Sequence, residues 1–104
     1  MSDDTVTASF ATADVARAVT GNLVLAVGAR TGITVDRLDE LAMAADLLLA
    51  RSGAVTVALT AGDSWLDVAL APVDAGWLGE NRGLLESLVA EVAEADTGVR
   101  LRAR

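Results

Sequence analysis

The stretch Val55-Thr56-Val57-Ala58-Leu59-Thr60-Ala61-Gly62-Asp63-Ser64-Trp65-Leu66-Asp67-Val68-Ala69-Leu70-Ala71-Pro72 decides the fold. Val55, Val57 and Leu59 alternate with Thr56, Ala58 and Thr60; beyond the Ala61-Gly62-Asp63 turn, Leu66, Val68 and Leu70 alternate with Trp65, Asp67 and Ala69. A period of two sends each set to one face of a pleated strand, so the stretch predicts a β-hairpin with one apolar and one polar face. Pro72 has no N–H to give a ladder and stops the second strand.

Upstream of the hairpin the period changes to that of a helix. Leu38, Leu41, Ala42, Ala45, Leu48 and Leu49 form one stripe of a helix running to about Arg51, with Thr34 as its N-cap and Asp36 in the first turn, where the dipole favours an anion. Val15, Val19, Leu23, Ala26 and Val27 predict an earlier helix from Asp14 to about Arg30, stopped by Thr31-Gly32. Before it, Val6, Ala8 and Phe10 alternate with Thr5, Thr7 and Ser9 as a half-buried strand. Downstream, Val73 to Gly79 reads as a loop, Leu85, Leu88, Val89 and Val92 as a third helix closed near Asp96, and Val99, Leu101 and Ala103 as a last strand alternating with Arg100, Arg102 and Arg104. The expectation is an α/β (α+β) two-layer sandwich in the order β-α-α-β-β-α-β. Its four-stranded mixed sheet carries three helices on one face, and residues 1–104 form a single domain.

Composition narrows the chemistry. Hydrophobic residues make up 53% of the 104-residue chain and aromatics only 3%, so the core must be built from Ala, Val and Leu, and disorder is excluded. Without cysteine or histidine there is no thiol nucleophile, no thiolate or imidazole metal site and no Ser-His-Asp triad. Fifteen acidic against eight basic residues give a net charge of −7, which opposes nucleic acid and anionic membranes. The acidic start Met1-Ser2-Asp3-Asp4 is unlike a signal peptide, and charges interrupt every apolar run, so a cytoplasmic protein outside the membrane is expected.

The run Val35-Asp36-Arg37-Leu38-Asp39-Glu40-Leu41-Ala42-Met43-Ala44-Ala45-Asp46, followed by the hairpin, a Trp-containing approach to the third helix and the ending Gly98-Val99-Arg100-Leu101-Arg102, resembles the anti-sigma factor and serine switch-kinase branch of the histidine-kinase-like ATPase superfamily. The resemblance spans nearly the whole chain. It places the family's catalytic Glu at Leu47 and its magnesium-binding Asn at Arg51, and neither replacement performs the original chemistry. Asp74-Ala75-Gly76-Trp77-Leu78-Gly79 echoes the family's Asp-x-Gly-x-Gly motif with one residue too many, making Asp74, Gly76 and Gly79 a vestigial cofactor site. The family's flexible lid and second Gly-rich phosphate segment have no counterpart.

Met43, Leu47 and Ala50 form a second apolar stripe on the second helix, which either widens the buried face or offers a degenerate pocket to a partner. Trp77 either packs on a helix end or plugs the vacated adenine position. Arg100, Arg102 and Arg104 are either a solvated ladder or a contact for an acidic partner. Asp36, Asp39, Glu40 and Asp46 are dispersed around a helix and read as solvated charges. With no catalytic and no metal-ligating residue assigned, the resemblance implies a binding protein, a homodimer without a cofactor, that sequesters a sigma factor or an antagonist domain. Arg30, Met43, Leu47, Arg51 and Trp77 are the candidate contact residues. The alternatives are an ATP-dependent serine kinase, using ATP and Mg²⁺, and a non-catalytic pairing subunit of a complete ATPase.

Overall fold

A computed structural model describes residues 4–104 and contains strand β1 (Asp4–Phe10), helices α1 (Ala13–Gly28) and α2 (Val35–Leu49), strands β2 (Val55–Ala61) and β3 (Leu66–Ala71), helix α3 (Ala75–Leu88), and strands β4 (Glu91–Ala95) and β5 (Gly98–Ala103). The strands form one sheet in the order β1-β2-β3-β5-β4 with every pair antiparallel. The fold is therefore α+β with three helices, but the sheet has five antiparallel strands where four mixed strands were expected, and the order is β-α-α-β-β-α-β-β.

The extra strand comes from the segment that reads as the end of the third helix. Asp74 caps α3, its Oδ1 accepting from the Trp77 N–H at 3.0 Å, so the helix begins where a loop was expected over Val73 to Gly79 and ends at Leu88. Its buried residues, Leu78 and Leu85, are two turns apart on one face. Val92 then belongs to β4, where it is buried opposite Leu101. The spacing Leu85, Leu88, Val89, Val92 fits a helix equally well. Pairing with β5 decides for a strand, because it adds β4 to the sheet and buries Val92 in the core.

The other elements lie close to expectation. Thr34 caps α2 by accepting from the Arg37 N–H at 3.4 Å. The hydroxyl pairs Thr5–Thr60 at 3.2 Å and Ser9–Thr56 at 3.0 Å mark the open face of the sheet. The apolar face, with Val57, Leu59, Leu66, Val68, Leu70 and Leu101 closed to solvent, meets the helices. Gly62 opens the β2–β3 turn with its N–H donating to the Trp65 carbonyl; a Cβ there would fall 2.3 Å from the Trp65 ring, so any larger residue would have to displace that ring.

Helix α1 is rotated from its expected setting. Ala16, Thr20, Val24 and Val27 are its buried line, whereas Val15 is 53% exposed and Val19 36% exposed. Two overlapping stripes one residue apart exist in this helix, and contact with α2 selects the one carrying the small residues. Gly28 lets Leu38 approach so closely that a Cβ would sit 2.4 Å from its Cδ2.

The β4–β5 turn places Asp96 at φ 47°, the left-handed region that favours glycine but that Asp tolerates. Replacing Asp96 by Gly should leave stability unchanged or raise it by a few tenths of a kcal/mol, whereas Asp96→Val should cost about 1–2 kcal/mol. Urea denaturation of the two variants, compared at constant m-value, measures both effects.

Candidate functional site

The candidate contact residues are carried by the outer surface of the helical layer, and α2 is its central helix. Met43 and Leu47 follow each other one turn apart, and Arg51 lies one turn beyond Leu47, just past the end of α2. The three diverge at the neighbouring helices. Met43, 56% exposed, lines a groove between α1 and α2 with Arg17, Thr20, Gly21 and Asp46. The Arg51 guanidinium lies over the Trp77 ring on α3, 5.1 Å from its centroid, an arrangement that favours a cation against the π face. Leu47 and Trp77 are both mostly buried, and Trp77 packs against the core from the first turn of α3.

The residues expected as a vestigial cofactor site have a structural role. Asp74 uses its carboxylate to cap α3, and Gly76 and Gly79 lie within that helix. Among the described residues no glycine has positive φ. A phosphate-cradling loop needs glycines that turn the backbone toward a ligand, and here they are wound into a helix. Position 47 carries a hydrocarbon side chain, the Arg51 guanidinium lies over Trp77, and the Asp74 carboxylate is engaged by its own helix. Among the described residues, no group of three or more carboxylates converges.

Arg30 is not part of this cluster. It follows the C-terminal end of α1 beside the start of α2, whereas Arg51 follows the end of α2, and a 15-residue helix rises roughly 22 Å between them. The basic ladder is also not a free patch. Asp67, directly opposite Arg102 on the neighbouring strand, accepts from Arg102 Nε at 2.6 Å and Nη2 at 2.8 Å and from Arg100 Nη1 at 3.2 Å, and Arg104 pairs with Glu91. Arg102 also lies over the Trp65 ring, 4.3 Å from its centroid. Between the two readings of this row, a solvated ladder or a contact for an acidic partner, the ion pairs favour the first, because carboxylates of the sheet itself offset its charge.

Two features of the α1–α2 groove leave no trace in the sequence pattern. Arg17 grips Asp46 with both ends of its fork, Nε to Oδ1 at 2.8 Å and Nη2 to Oδ2 at 3.0 Å, across 29 residues of chain. The hydrogen bond and the charge of Asp46 hold the Arg17 guanidinium above its ordinary pKa. Beneath the pair lies Thr20, only 2% exposed, whose hydroxyl finds no partner on the protein. Only the helix packing brings these residues together.

No model of a known protein family matches the sequence, and no curated protein matches it significantly. No helix among the described residues is long and apolar enough to cross a membrane.

A buried hydroxyl without a partner costs more than the methyl that would replace it. Thr20→Val, equal in shape and in β-branching, should therefore stabilise the protein by about 1 kcal/mol, read as a rise in the urea midpoint.

Proposed function

We propose that the protein is a non-catalytic regulatory binding module of the anti-sigma type, acting in the cytoplasm by holding a sigma factor or an antagonist domain without turning over ATP. The observation that carries the proposal is the fate of three positions. Where the resemblance requires an acid, a magnesium ligand and an adenine contact, the chain has mostly buried Leu47, Arg51 over Trp77, and Asp74 spent on a helix cap. Losing these groups removes phosphoryl transfer without disturbing the outer surface of the helices, which is where binding would persist.

The α1–α2 groove supports that role. Met43 is a large apolar side chain standing in solvent beside a fixed Arg17–Asp46 pair, the combination of anchor and oriented charge that partner recognition uses. Beyond the Arg17–Asp46 pair its rim carries Asp39, so a partner segment with basic and apolar side chains matches it.

Calorimetric titration with MgATP should give no saturable heat tighter than ~1 mM. Micromolar binding that Asp74→Ala abolishes would instead establish the kinase alternative.

Affinity capture from the native bacterium should retain a sigma factor or an antagonist domain, and that protein should emerge unphosphorylated. Met43→Asp should weaken its capture about tenfold or more with the melting temperature unchanged. Arg30→Glu, at the far end of the helical layer, reports whether the contact extends that far. Recovery of a complete ATPase in place of both partners would transfer the assignment to the pairing-subunit alternative.

A further inference from the structure

Among the described residues, Thr20 Oγ1 is the buried side-chain polar atom that finds no partner on the protein. Hydroxyls at the helix ends close onto a carbonyl one turn back, Thr31 onto Gly28 at 2.6 Å and Ser52 onto Leu48 at 3.1 Å. The same bond is open to any helical threonine, and Thr20 does not make it. Keeping a buried hydroxyl in this state costs stability, and such departures from local consistency concentrate at functional sites.

The space beside Thr20 is large enough to admit a side chain from outside. The α1–α2 groove has a volume of about 310 Å³, with Thr20 and Gly21 lining it from α1 and Asp39, Ala42 and Met43 from α2. A Cβ built on Gly21 meets nothing within 4 Å, so the α1 wall is open there. On α2, Asp39 and Asp46 lie two turns apart with Ala42 and Met43 between them, an apolar step between two carboxylates. Arg17 engages both oxygens of Asp46, and Asp39 lies outside that pair.

Given a contact surface here, as the regulatory reading requires, we propose that the group entering the groove is the side chain of a lysine on the partner segment. Its ammonium donates to Thr20 Oγ1 and to Asp39, and its methylenes lie along Ala42 and Met43. The hydroxyl left unanswered in the free protein is then satisfied in the complex.

Three properties of the groove select this occupant. In a chain of net charge −7 it carries two carboxylates against one guanidinium, so a cation is drawn in and an anion is opposed. A guanidinium is best matched by a carboxylate fork, and the fork of Asp46 is held by Arg17. An ammonium is a compact charge whose three donors suit separate single acceptors, such as one hydroxyl and one carboxylate oxygen. Met43, 56% exposed at the groove edge, gains cover from the chain that carries a lysine, which a free amine does not supply.

Nα-acetyl-lysine N-methylamide added to the full chain should shift the backbone amide resonances of Thr20, Gly21, Asp39 and Met43 saturably, with a Kd on the order of 1–10 mM. The norleucine amide, with the stem but no charge, should not saturate. Thr20→Val should weaken lysine-amide binding about tenfold while raising the urea midpoint, opposite signs that a purely structural threonine would not give. Gly21→Leu, which grows a side chain into the groove from its open wall, should abolish the shifts with far-UV circular dichroism unchanged.

Shifts that miss the groove, or that persist in Thr20→Val and Gly21→Leu, overturn the assignment. So does an arginine amide that binds as tightly as the lysine amide, or n-butylammonium that binds at least about tenfold more tightly, the mark of a site for free amines. A sigma factor or antagonist domain whose capture is lost in Met43→Asp but kept in both Thr20→Val and Gly21→Leu overturns the lysine and leaves the regulatory reading standing. Saturable lysine-amide binding with neither protein captured does the reverse.

Discussion

The contact on which the rest of the structure depends is the one between α2 and the centre of the sheet. Leu41, Leu48 and Leu49 of α2 share a solvent-free cluster with Val57, Leu59, Leu66, Val68, Leu70 and Leu101. These aliphatic side chains supply the main burial in a chain almost without aromatics, and close packing rather than ring stacking must hold the layers in register. Once α2 is seated, α1 and α3 have only its two flanks to occupy. Gly28 admits Leu38 on one side and Trp77 receives Arg51 on the other, so the position of every other helix follows from this central contact.

This arrangement explains why residues that suggest nucleotide chemistry have become structural. A helix packed against the α3 side of α2 needs an N-terminus, and Asp74 provides its cap. The glycines that follow are wound into the first turns instead of opening a loop, and Arg51 lies over the aromatic face of Trp77. A side chain locked into a cap or a stacked pair is not free to hold a ligand.

Charge is distributed by the same logic. The arginines of β5 are matched by Asp67 and Glu91 on adjacent strands, which turns the open face into a closed set of ion pairs. The exposed pair Arg17–Asp46 contributes little to stability in solvent, yet its bidentate geometry orients both side chains at the mouth of a groove. The segment from Thr5 to Ala13 carries no charge.

The sequence by itself determined the elements whose periodicity has one interpretation. The hairpin of β2 and β3, strand β1, the capped helix α2 and the one-sided burial of the sheet all follow from alternation or from a Thr cap, which are properties of neighbouring residues. Only the tertiary structure decided what depends on distant partners. Val92 joins a strand because β5 offers it a ladder, and α1 buries Ala16 and Val24 rather than Val15 and Val19 because α2 needs a small-residue flank. Arg102 meets Asp67, and Arg17 meets Asp46, because strands and helices far apart in the chain were brought side by side. A local pattern states which face of an element is apolar; which of two such faces is buried depends on the surface packed against it.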